Sequence, residues 1–159
     1  MKSSIHLKNP ELILSHGSYG FEEVINDFKN AIQIYIITYN FYDAYGIVKN
    51  SLNTLRQNTN VIIITNFPSY WNLTNGTHQQ KLKSISQLEE LYAKLDFDKY
   101  QCNLNPYINH TNHAKIISTE NICYVGSANY SSASCNNYEC GILIKDKVEI
   151  KNIFNLISQ

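Results

Sequence analysis

Two short runs decide the architecture. Residues 32–39 (IQIYIITY) and 61–65 (VIIIT) are almost wholly apolar and rich in β-branched and aromatic side chains. Neither alternates apolar with polar residues, so each predicts a strand covered on both faces. Such strands need helices packed against them. Phe21, Val24, Ile25 and Phe28 recur at helical spacing within residues 21–31. Leu82, Ile85, Leu88, Leu91, Tyr92 and Leu95 do so within residues 78–95. Asp43 is placed to cap a further helix ending near Gln57, and residues 148–157 form a last one. Residues 11–15 read as a first strand, broken at His16-Gly17-Ser18-Tyr19-Gly20. Four strands are expected late in the chain, at 100–104, 114–118, 122–126 and 138–144, and residues 67–77 read as an extended loop. The expectation is a single α/β domain over residues 1–159, with a mixed β-sheet flanked by helices.

At 159 residues the chain can bury a sizeable core without a disulfide or metal staple. Its 13 Lys and Arg balance 13 Asp and Glu, which excludes a strongly basic nucleic-acid binder but not a local basic site. Arg56 is the sole arginine, so phosphate recognition must rest on Lys, amides, hydroxyls and backbone N–H groups. No run approaches the ~20 apolar residues of a membrane span. The first ten residues lack the apolar core of a secretory signal, so a cytoplasmic location is expected. Cys102, Cys123, Cys135 and Cys140 match no zinc-ligand spacing and are expected as reduced thiols. No metal and no cofactor are expected.

The chemistry concentrates in residues 113–129. On a strand, residues i and i+2 share a face, so His113 and Lys115 point the same way. A turn at Glu120-Asn121 sends the chain back and brings Ser127 and Asn129 to the same end of the hairpin. An imidazole, an ammonium, a hydroxyl and an amide then converge. That set suits a phosphate ester: imidazole is a competent nucleophile, and Lys and Asn can hold the charged oxygens of a pentavalent transition state.

The pattern resembles the phospholipase D superfamily, whose signature is H-x-K-x4-D followed by G-S-x-N. Here the residues are His113, Lys115 and Glu120, then Gly126, Ser127 and Asn129. Glu120 replaces the usual Asp, and the spacing from Glu120 to Gly126 is one residue shorter than is common. Both departures fall at the hairpin turn, which makes Glu120 a structural residue. Asn137-Tyr138-Glu139 is similar to the family's N-x-E element. The resemblance implies that His113 attacks phosphorus and forms a phosphohistidine, and that a second histidine protonates the leaving oxygen and then activates water. It also implies that Lys115, Ser127 and Asn129 bind the non-bridging oxygens and that Glu139 orients the His113 ring, with Gly126 and Asn137 in support.

The family's active site uses two such motifs, and this chain has one good copy. His6-Leu7-Lys8 also reads H-x-K, but Ile13 stands where the acid belongs. Small family members pair two chains, so a two-fold homodimer with His113 at its axis is expected. The length resembles the small nuclease branch, which makes nucleic acid the expected substrate, DNA ahead of RNA. The neutral charge leaves room for an operon-encoded partner protein that adds binding. A phospholipid or small phosphodiester is the first rival, and it predicts an apolar mouth to the site. A catalytically idle module that dimerises and binds nucleic acid or a partner is the second. His110, Tyr70 and Trp71 are candidate substrate contacts. Core packing is the better account of the group Tyr35, Tyr39, Phe41, Tyr42 and Tyr45, and His16 reads as a plain strand-end residue.

Overall fold

The computed structural model describes residues 4–41, 47–67, 69–96, 98 and 100–158. The elements in order are β1 (Glu11–Ser15), α1 (Glu22–Asp27), β2 (Gln33–Thr38), α2 (Ile47–Asn53), β3 (Asn60–Thr65), α3 (Tyr70–Asn75) and α4 (His78–Lys94). There follow β4 (Asn103–Ile108), β5 (Ile116–Thr119), β6 (Cys123–Gly126), a 3-10 turn (Ser132–Asn136), β7 (Glu139–Ile144) and α5 (Lys147–Ile157). The seven strands form one mixed sheet in the order β1-β7-β6-β5-β2-β3-β4. Strands β2, β3 and β4 are parallel, and every other pairing is antiparallel.

Alternate strand residues feed two hydrophobic layers. Ile34, Ile36, Val61, Ile63, Leu104, Ile117, Tyr124 and Leu143 point to one face and pack with Val24 of α1, Leu52 of α2 and Leu91 of α4. Cys123, Ile144, Ile116, Val125 and Ile142 point to the other, where Ile150, Ile153, Phe154 and Ile157 of α5 cover them. The carboxylate of Asp146 caps α5 by accepting from the N–H groups of Val148 (2.8 Å) and Glu149 (3.1 Å). Thr77 and Gln80 form a capping box at α4.

The expected elements are present with four differences. Residues 67–77 are not one extended loop: α3 lies inside them, tied to α4 through the Ser69–Gln87 hydrogen bond and buried partly through Leu73. Helix α1 stops at Asp27, where Asn30 and Ala31 turn back onto the Asp27 carbonyl. The strand expected at 100–104 lies further on, as β4. It carries Pro106, which is tolerated because β4 is an edge strand with one ladder to fill. Strand β3 is not covered on both faces, since Ile62 and Ile64 are half-exposed where α5 does not reach. Asp43, Tyr42 and Tyr45 lie outside the described residues. Tyr35 and Phe41 are buried as expected, Tyr35 against Phe154. No described helix is long and apolar enough to cross a membrane.

Candidate active site

Strands β5 and β6 form the hairpin that the motif requires. Ile116 pairs with Val125, and the N–H of Gly126 donates to the Lys115 carbonyl (3.2 Å). His113 and Lys115 therefore lead into β5 at the same end where Ser127 and Asn129 leave β6. Together with Tyr39, Gly126, Asn137 and Glu139 they line one open pocket of about 770 Å³.

Each functional group is held by an identifiable partner. The Lys115 ammonium donates to His113 Nδ1 (3.2 Å) and to the His113 carbonyl (2.8 Å). The tilted Tyr39 ring lies 4.8 Å from the imidazole, centroid to centroid, and 5.4 Å from Lys115 Nζ. Burial pushes the Lys115 ammonium below its ordinary pKa, and the nearby Glu139 carboxylate partly opposes this. Asn129 Oδ1 accepts from the Asn40 N–H (3.2 Å) and shares the Thr38 hydroxyl proton (3.3 Å) with the Asn40 carbonyl (3.0 Å). With its oxygen so engaged, the amide nitrogen is the group Asn129 offers to a ligand. The Ser127 hydroxyl donates to Glu139 Oε2 and accepts the Cys140 N–H (3.0 Å). Asn137 Nδ2 donates to Glu139 Oε1 (3.2 Å).

Gly126 is required by packing. It pairs with Gly141, and the Tyr124 ring lies across both. A Cβ at Gly126 would overlap that ring and come within 2.7 Å of the Cys140 carbonyl.

Most of the expected site residues meet here, and the others lie elsewhere. Glu139 does not reach the His113 ring: its two oxygens are taken by Ser127 and Asn137, and the ring nitrogen faces Lys115. Strand β7 is two places from β5, roughly 10 Å at ordinary strand spacing, which accounts for the miss. Glu120 lies at the far end of the sheet, where its carboxylate accepts the N–H groups of Ile32 (3.1 Å) and Gln33 (3.1 Å) and pins the start of β2. His110, Tyr70 and Trp71 do not line the pocket. His110 stacks on Tyr70 beyond β3, and Trp71 is exposed on α3. His6-Leu7-Lys8 does not line the pocket either: Leu7 packs beneath α5, and the Lys8 N–H binds Glu149 (2.7 Å).

Sequence reasoning missed the support behind the pocket. Thr38 is fully buried, and its hydroxyl accepts the Tyr130 N–H (3.0 Å) while its carbonyl accepts from Asn112 (2.9 Å). Asn66 in turn donates to the Asn112 carbonyl (2.9 Å). The available signal was Thr38-Tyr39-Asn40, a polar ending on an otherwise apolar strand. Tyr39, assigned to packing, faces His113. The four cysteines are unpaired: Cys102 and Cys123 are buried, Cys135 is half-buried and Cys140 is exposed. Among the described residues no three His, Cys, Asp or Glu side chains form a metal-ligand cluster.

Residues 24–158 match the family described as cardiolipin synthase, PLD-like domain. Sequence comparison with curated proteins gives no match. Among solved structures, NucT from Helicobacter pylori is 18% identical with a TM-score of 0.58, covering 93% of each chain. Nuc from Salmonella typhimurium, a phospholipase D family member, is 16% identical with a TM-score of 0.57, covering 92% of this chain and 91% of its own. Phosphatidylserine synthase from Haemophilus influenzae Rd KW20 is 17% identical with a TM-score of 0.62; all of this chain aligns with 41% of that one. The family match spans the whole hairpin and the pocket it builds, and the chain belongs to the phospholipase D-like family.

Proposed function

We propose that this chain is a metal-independent phosphodiesterase that cleaves nucleic acid, DNA ahead of RNA, in a homodimeric active site. One observation carries the reading: His113, Lys115, Ser127 and Asn129 line a single pocket, with the Asn129 amide already oriented. His113 attacks phosphorus, and the new N–P bond forms as the P–O bond to the leaving group breaks. Lys115 and Asn129 bind the non-bridging oxygens, where negative charge accumulates, and the Ser127 hydroxyl joins them by turning its one proton from Glu139 to the phosphate. Phosphate binding draws the Lys115 ammonium off His113 Nδ1, which leaves that nitrogen free to attack phosphorus. A second imidazole gives the leaving oxygen its proton. That imidazole, now neutral, takes a proton from water, whose oxygen displaces the His113 nitrogen and regenerates the site.

His113 is the one histidine among the described residues that line the pocket, and it is exposed in the single chain. A second copy supplies the other. An aliphatic cleft of about 270 Å³ adjoins the pocket, sharing Ile116 and Val125 with it and including Ile5, Leu7 and Leu156. A copy seated there across a two-fold axis buries the cleft and faces the two imidazoles. The same cleft is the apolar mouth that a lipid substrate would need, and it favours a phospholipid diester as the second reading.

One assay decides between them. Wild type and His113→Ala are incubated with single- and double-stranded DNA, RNA and a fluorescent phospholipid in excess EDTA, and mass is measured by light scattering. The proposal expects EDTA-resistant cleavage of nucleic acid by a dimer and none by the variant. Cleavage of lipid alone moves the assignment to the second reading. An active monomer overturns the dimer.

A further inference from the structure

The catalytic residues occupy the middle of a row. At one end of the sheet the chain leaves β1, β6, β2, β3 and β4 and enters β5 and β7. Reading across that rim in strand order, His16 and Tyr138 come first, beside Glu139. Ser127 and Asn129 follow, then His113 and Lys115, then Tyr39, and finally His110 with Tyr70. The two ends of the row are alike. His16 stacks on Tyr138 with centroids 4.2 Å apart and planes 9° from parallel. His110 stacks on Tyr70 at 3.7 Å and 16°. Tyr138 is 87% exposed, Tyr70 is 41% exposed, and both histidines are open to solvent or half so. At about 4.8 Å per strand, β7 lies roughly 10 Å to one side of β5 and β4 roughly 14 Å to the other.

The second stack is fixed relative to the nucleophile. His110 precedes His113 by three residues, at most about 11 Å of chain. The loop between them is pinned by Asn109 N–H to the Thr65 carbonyl (2.9 Å), by an Asn109 side-chain turn onto Thr111 (3.0 Å), and by Asn66 on Asn112 (2.9 Å). A groove of about 700 Å³ runs from His110 over Ile62, Ile64 and Tyr107, where the sheet is uncovered.

We propose that the two His–Tyr stacks are nucleobase platforms on either side of the scissile phosphate, and that the substrate is therefore a single strand lying along the rim. This rests on the phosphodiesterase reading above and adds the form of the substrate. A duplex keeps its base faces against neighbouring bases, whereas an unpaired strand offers them to an aromatic surface. The charge balance agrees. With no excess of basic residues and a single Arg, phosphate attraction is weak and base contacts must provide the affinity. The platforms are also chemically unlike the aliphatic cleft under α5, which lacks ring faces and hydrogen-bonding groups.

Fluorescence anisotropy with labelled oligothymidylate, oligouridylate and a DNA duplex tests this, using wild type, Tyr138→Ala, Tyr70→Ala and the double variant. The single strands should bind at least about tenfold more tightly than the duplex. Each alanine should weaken single-strand binding by about 5- to 150-fold, the loss that one base–aromatic stack represents. Duplex affinity should stay put, and Tyr138→Phe and Tyr70→Phe should bind like wild type. Duplex binding equal to that of a single strand, or single-strand affinity unmoved in the double variant, overturns the platforms. Hydrolysis of bis(p-nitrophenyl) phosphate by wild type is measured in parallel. Its absence counts against the catalytic reading, and the binding data judge the platforms separately.

Discussion

Asn129→Asp separates chemistry from folding more cleanly than any other change at this site. The native Oδ1 accepts two hydrogen bonds, from Asn40 and Thr38, and a carboxylate oxygen accepts both equally well. The fold should therefore hold, with the unfolding midpoint within about 3 °C of wild type, no more than about the shift that 1 kcal/mol produces in a chain of this size. Catalysis should not hold. The amide donor becomes an acceptor, and loss of one preorganised donor costs about 10²–10³ in rate. The added negative charge also opposes an anionic phosphate by up to roughly 4 kcal/mol at 4 Å and an effective dielectric of 20, less whatever water screens in an open pocket. The combined expectation is a loss of at least about 10³-fold in kcat/KM on bis(p-nitrophenyl) phosphate. Asn129→Ala supplies the contrast. It removes both acceptor bonds, should cost about 1–3 kcal/mol of stability, and should lose less activity because it adds no charge. An Asp variant within tenfold of wild type, folded and active, would refute the role given to this amide.

Two other predictions follow from the same support. Thr38→Val keeps the shape of a fully buried residue but removes the hydroxyl that accepts the Tyr130 N–H, so urea denaturation should show a loss of about 1–3 kcal/mol. Activity should fall with it, since Asn129 loses one of its two anchors. Burial disfavours the charged form of Lys115, so its proton leaves at a pH below the ordinary lysine value of 10.5. The phosphate-binding ammonium is present below that pKa and lost above it. A pH–rate profile should therefore show an alkaline limb below pH 10.5, and Lys115→Arg should move that limb upward.

The local pattern in the chain was sufficient for the sheet and for the hairpin that carries His113. The β-branched runs became β2 and β3, and helical periodicity located α4 and α5 to within a residue or so. The reason is that strand and helix periods are properties of adjacent residues. The motif at 113–129 was legible for the same reason: a hairpin brings residues fourteen apart together without help from the rest of the fold. Where context decided, the reading failed. The strand expected at 100–104 lies at 103–108, where an edge position tolerates Pro106, and α3 depends on α4 beside it.

The remaining features of the site join residues that no short window contains. Glu139 and Ser127 are neighbours because β7 lies beside β6, and the same order holds Glu139 away from His113. Thr38 and Asn40 orient Asn129 from roughly ninety residues away, since β2 is inserted next to β5. The His16–Tyr138 and His110–Tyr70 stacks each unite distant segments at one rim of the sheet. Adjacent residues specified which chemical groups this protein carries and which strands bear them. The order of strands in the sheet decided which groups meet, because hydrogen-bonded neighbours in a sheet are set by long-range pairing and packing, to which sequence distance is indifferent.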